Sequence, residues 1–180
     1  MGILLGIISS LVASIVFAVI LFGIKPSIYL SDNVCVTYEN GEPIYKIKVV
    51  NKTKSRLINV SYHLELRTKD QGDITKIQEI KPVNPPLTTL PQFCTENTDY
   101  ALRIKFKPDP QNHSLSNRQY LYFSIQATHP FSNGVAFKDK KFFAKDLVKD
   151  CIFETGESIK IIDIAQTHSQ TRTAQTVKTP

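Results

Sequence analysis

No tryptophan occurs anywhere in this 180-residue chain. The Cys…Trp…Cys spacing that marks antibody-type domains is therefore missing. Only three cysteines are present, Cys35, Cys94 and Cys151, and no two of them form a C-x-x-C. So odd and sparse a set is not a disulfide framework, and it favours a reducing compartment. Cys35 and Cys151 lie in apolar contexts and read as small core hydrophobes. Glycine is scarce: seven residues, three of them within the first 23. No Gly-rich phosphate cradle, P-loop or G-x-S-x-G is present. The four histidines, His63, His113, His129 and His168, show no metal-ligand spacing with Cys, Asp or Glu. His129 precedes a proline at a strand end, where local hydrogen bonding is expected. These gaps predict no enzyme activity, no metal and no cofactor.

Charge is missing from the start of the chain. Between Gly2 and Ile24 no side chain is charged, and Lys25-Pro26 comes next. A helix of that length reaches about 34 Å, enough for a bilayer core of about 30 Å. Lys25 marks the water interface, and Pro26 cannot continue the helix. A cleaved signal peptide would show a basic n-region, a shorter apolar core and an A-x-A-like site. This segment has none of them, so residues 2–24 are expected to be an uncleaved transmembrane helix. Small residues recur in it at every fourth position: Gly2, Gly6, Ser10, Ser14 and Ala18. Such spacing lets two membrane helices approach backbone to backbone. Gly6, Ser10, Ser14 and Ala18 are the expected self-association positions.

The remainder of the chain is basic but mixed. The formal charge is +6 with a pI near 9.2, yet acids are interspersed, as in residues 138–150. Mixing of this kind reads as a solvated face, with attraction to anionic headgroups second. No clustered Arg stripe or reader motif points to nucleic acid. Lys25, Lys46, Lys48, Lys52, Lys54 and Arg56 lie on the C-terminal side of the helix, which puts the β-rich domain in the cytoplasm. Sequons at Asn51, Asn59 and Asn112 are of a kind that chance supplies in a Ser/Thr-rich chain.

Beyond Pro26 the apolar period changes to two. Ile28 to Val36 suggests a first strand, partly irregular around Asp32-Asn33, and residues 39–43 a turn around Asn40-Gly41. In residues 44–50, Tyr45, Ile47 and Val49 share one face while Lys46 and Lys48 point to water. Leu57 to Arg67 alternates most clearly: Ile58, Val60, Tyr62, Leu64 and Leu66 inward, Asn59, Ser61, His63, Glu65 and Arg67 outward. Lys69 to Asp73 turns around Gly72, and Ile74, Ile77 and Ile80 suggest a short strand. Pro82, Pro85, Pro86 and Pro91 make an extended connection. Strands are expected again at 100–107, 120–128, 135–143, 150–153 and 158–164. Seven to nine short strands with frequent turns predict an all-β, immunoglobulin-like antiparallel β-sandwich over 27–164. The polar segment 165–180 is expected to be disordered.

Residues 45–66, 127–142 and 146–161 resemble a group of uncharacterised bacterial proteins that join one N-terminal membrane helix to a β-sandwich. The resemblance implies architecture and a bacterial membrane location, and brings no catalytic residues. The sandwich is also loosely similar to the cytoplasmic domain of inward-rectifier potassium channels. One membrane helix without a selectivity-filter sequence cannot form that pore. The functional expectation is a membrane-anchored, non-catalytic binding or scaffolding module. The alternative is a ligand-sensing membrane effector whose helices oligomerise. Expected partners are the lipid bilayer, a second copy through the helix, and a protein of unknown identity.

Overall fold

The structure, a computed structural model, describes residues 2–23, 25–70, 73–94, 100–109, 115–156 and 158–163. The expectations for Ile24, the Gly72 turn, Asn112, His113, and the tail at 165–180 with His168 lie outside the described residues. The chain is mostly β, with one N-terminal apolar helix and curled sheets. Helix α1 (Gly2–Gly23) contains no proline and no charge. One stretch of it, Gly2–Val19, is long and apolar enough to cross a membrane, with a mean hydropathy of 2.5.

Among the described residues, twelve strands come after it: β1 (Ile28–Leu30), β2 (Val34–Glu39), β3 (Glu42–Asn51), β4 (Leu57–Asp70), β5 (Asp73–Glu79), β6 (Thr89–Leu90), β7 (Ala101–Phe106), β8 (Gln119–Thr128), β9 (Val135–Phe142), β10 (Leu147–Lys149), β11 (Cys151–Phe153) and β12 (Ile161–Asp163). One five-stranded sheet is built around β3. On one side β3 pairs with β7 along residues 45–50. Its other side takes β2 against residues 42–46 and β1 against residues 49–51, end to end. The second five-stranded sheet runs β5-β4-β8-β9, with β6 beside the start of β4. β11 and β12 form a separate hairpin.

The two large sheets share one core. Ile47, Val49, Ile104 and Phe106 come from the first, and Leu64, Leu66, Phe123 and Ile125 from the second. Phe106 joins them, edge-on to Tyr62 at 5.9 Å and to Phe123 at 6.0 Å between centroids. Such edge-to-face pairs add to what burial alone supplies.

Four expectations are corrected. The first strand is two strands, because Ser31 turns its hydroxyl onto the Asn33 carbonyl (2.8 Å) and breaks the run. The pairing is not wholly antiparallel: β10 runs parallel to β2, reached by a crossing from β9 through a 3₁₀ turn at Ala144–Asp146. Ile58 does not lead the inner face of β4. The ladder shifts between Ile58 and Ser61, and Asn59 has φ 52°, so Leu57 is fully buried and Ile58 only half-buried. A β-bulge re-phases a strand in this way. Lys48 does not face water; it is fully buried.

Past the bulge the β4 alternation is as read: Leu64 and Leu66 are buried, Val60 and Tyr62 half-buried and packed on the core, and Ser61 exposed. Glu65 and Arg67 are half-buried and paired with each other at 2.7 Å. Leu64→Ala is expected to cost about 2–5 kcal/mol in denaturant unfolding, as large-to-small core changes do. Ser61→Ala is expected to stay within about 0.5 kcal/mol of the parent. Equal losses would show that the register is wrong.

Candidate functional site

On α1, the four-residue spacing makes a shallow groove. It is lined by Ile3, Gly6, Ile7, Ser10, Leu11 and Ser14. A Cβ added at Gly2 or Gly6 would meet nothing within 4 Å. Ser14 donates its hydroxyl to the Ser10 carbonyl one turn back (2.9 Å), and Ser9 donates to the Gly6 carbonyl (3.0 Å). Both hydroxyls are thereby reconciled with an apolar setting. Three of the four expected positions, Gly6, Ser10 and Ser14, thus lie together; Ala18 is not among the lining residues.

In the β-region the concentrated chemistry lies where the β11–β12 hairpin covers β2 and β3. Lys48 ends there. Its Nζ donates to the Glu154 and Ser158 carbonyls, each at 2.6 Å. Burial and the nearby Arg103 guanidinium lower its pKa to about 8. Beside it, Cys35 and Cys151 bring their sulfurs within 2.6 Å across 116 residues of sequence, and the Cys35 thiol donates to the Cys151 carbonyl. Burial pushes the Cys35 thiol up, away from thiolate. An open cleft of about 310 Å³ passes these sulfurs, Lys46, Arg103 and Thr155. Lys46 is held 3.2 Å from Glu39. A Cys35 thiol held away from thiolate and a lysine committed to carbonyls fit a structural clamp better than a nucleophile.

His129 is buried, and its Nδ1 accepts from the Ser132 amide (3.1 Å), so it bonds locally as expected. Among the described residues, no three His, Cys, Asp or Glu side chains gather as metal ligands. Asn51 is fully buried, its amide donating to the Ser55 and Pro91 carbonyls (3.0 and 2.8 Å), so the folded domain withholds that sequon.

Sequence reasoning missed two features. Lys48 sits in the run 47–51, which is buried at every position. The pair Val49-Val50 signalled a strand covered on both faces. The second is that β5, read as a short strand, is an edge of its sheet, pairing among the described residues with β4. Arg67 pairs with Ile77 and Lys69 with Ile74, while the ladder slips between Thr68 and Lys69. This bulge leaves Ile74 and Ile77 on one face, both well exposed.

Lys48→Met keeps the stem but deprives two carbonyls of their donor, a loss on the order of 2 kcal/mol. The native pKa of about 8 lies below the ordinary 10.5. Between those values the unfolded chain holds the proton that the native chain releases, so stability from this group rises with pH. The unfolding free energy of the parent relative to Lys48→Met should therefore increase from pH 8 to pH 10. A gap that is flat or shrinks over that range would show that burial does not lower the Lys48 pKa.

No protein-family model matches this chain, and no curated protein is significantly similar to it.

Proposed function

We propose that this chain is a single-pass membrane protein whose β-domain, an immunoglobulin-like sandwich, is a non-catalytic binding and scaffolding module at the cytoplasmic face. One observation carries the reading: none of the apolar stretch Gly2–Val19 is buried against the rest of the chain. Eighteen residues of bare apolar helix need lipid or another helix. The resemblance to bacterial proteins of this plan agrees with it, as does the charge asymmetry around α1. The recruiting element is the β5 edge, where the end of the strand order and the exposed Ile74 and Ile77 suit strand addition by a partner.

The test is proximity labelling in intact cells, with a biotin ligase fused after Pro180 of the full chain. Cytoplasmic proteins should be labelled, and Ile77→Lys should remove one of them selectively. Labelling confined to the other side of the membrane would reverse the orientation. Identical profiles for the two chains would remove the β5 edge as the recruiting element.

The groove at Gly6, Ser10 and Ser14 favours a second reading, a ligand-sensing effector whose helices oligomerise. Ser10→Ile with Ser14→Ile fills that groove while suiting lipid better than serine. It should abolish crosslinked dimers or higher oligomers in membranes and leave insertion intact. A monomeric parent, or a double variant that associates equally well, would end this reading.

A further inference from the structure

One end of the β-domain is unlike the rest of its surface. β1 begins at Ile28, five residues after α1 ends at Gly23. The connection is pinned on arrival: Ser27 donates its amide to the Thr53 hydroxyl and accepts from the Lys52 amide, both at 3.0 Å. An open cleft of about 450 Å³ then runs between residues 25–28 and residues 134–138. The end of α1, the β3–β4 turn and the β8–β9 loop therefore converge at one place.

Two properties coincide there. The first is apolar exposure: Phe131 is 72% exposed, and Val135 and Phe137 are each 59% exposed. Val135 pairs with Thr128 and Phe137 with Gln126, so both sit on the outer face of the β9 edge. Phe131 is held out by a built loop rather than a slack one. His129 takes the Ser132 amide on its ring and the Asn133 amide on its carbonyl, and Asn133 has φ 52°. The second property is charge. Residues 25–29, 51–57 and 128–138 together carry Lys25, Lys52, Lys54, Arg56 and Lys138 and no Asp or Glu. All five are exposed or half-buried.

We propose that this end of the β-domain lies on the anionic surface of the bilayer that α1 crosses, with Phe131 and Phe137 in the headgroup region and the five cations against lipid phosphates. The inference rests on the membrane-spanning reading of α1 and adds the face by which the domain meets the membrane. Continuity with the anchor selects the occupant. Lys25 borders the same cleft as Phe137, so a bilayer reached by α1 is already at the patch. Aromatics in the interface and cations near acidic headgroups are the two attractions a leaflet offers a protein surface. A protein partner seated here would have to share the space with headgroups.

The absence of native tryptophan makes the test clean. The full chain is reconstituted in phosphatidylcholine vesicles with 30% phosphatidylglycerol, using lipids brominated near the headgroup end of the acyl chain. Single reporters are Phe131→Trp, Phe137→Trp, Phe17→Trp in α1, and Tyr38→Trp. Tyr38 pairs with Pro43 at the far end of β3, about 27 Å along the strand from Asn51. Bromine should quench Phe131→Trp and Phe137→Trp at least twofold and leave Tyr38→Trp unchanged. Raising salt or omitting phosphatidylglycerol should weaken quenching at both loop and edge positions but not at Phe17→Trp. If Phe17→Trp is quenched while Phe131→Trp and Phe137→Trp behave like Tyr38→Trp, the docking face is overturned and the anchor stands. If Phe17→Trp is not quenched, the spanning reading fails and docking fails with it. Quenching at Phe131→Trp that is equal in neutral vesicles overturns the role given to acidic headgroups.

Discussion

β3 is hydrogen-bonded along both edges and covered on both faces, and it carries a lysine. A charge stripped of water inside a protein is costly unless polar groups replace that water. Two backbone carbonyls from the β11–β12 connection do so here. Much of the architecture serves that arrangement. β10 runs parallel to β2 because the chain must cross from the second sheet to deliver the hairpin. Cys35 and Cys151 meet because the same crossing brings them together. Cys35, Cys151 and Phe153 form a small second core that keeps the hairpin seated over Lys48.

The surface contributes little beside this. The pairs Lys140–Asp32 and Arg118–Asp70 each have a partner more than half exposed, and ion pairs of that kind contribute little. Buried polar fasteners have more at stake, because each group they satisfy would otherwise be stranded. Asn51 does for the β3–β4 turn what Lys48 does for the hairpin. Its side chain accepts from the Thr53 amide (2.8 Å) and donates to two carbonyls, tying the turn to residue 91.

Local pattern made much of the fold legible. Alternation in β4 beyond residue 60 separated the core-facing residues from the outer ones, because one face of that strand is wet. Alternation failed where its premise failed. β3 is dry on both faces, so Lys48 looked like an outward residue. Asn59 inserts a bulge that no count of two could anticipate. The α1 groove was legible because its four-residue spacing is local. The basic, aromatic end of the domain was not. Its three segments are far apart in sequence, and each alone is an ordinary turn.

The cover over β3 is supplied late. The carbonyl of Glu154 that receives Lys48 lies 106 residues further along. At about 5–20 residues per second, that separation is roughly 5–20 s of synthesis. Until residues 154–158 are made, β3 has one face without its lid. An apolar residue in place of Lys48 would leave that face a bare strand surface, open to pairing with neighbouring nascent chains. A charged side chain at that position disfavours such pairing, and in the finished fold it is the fastener.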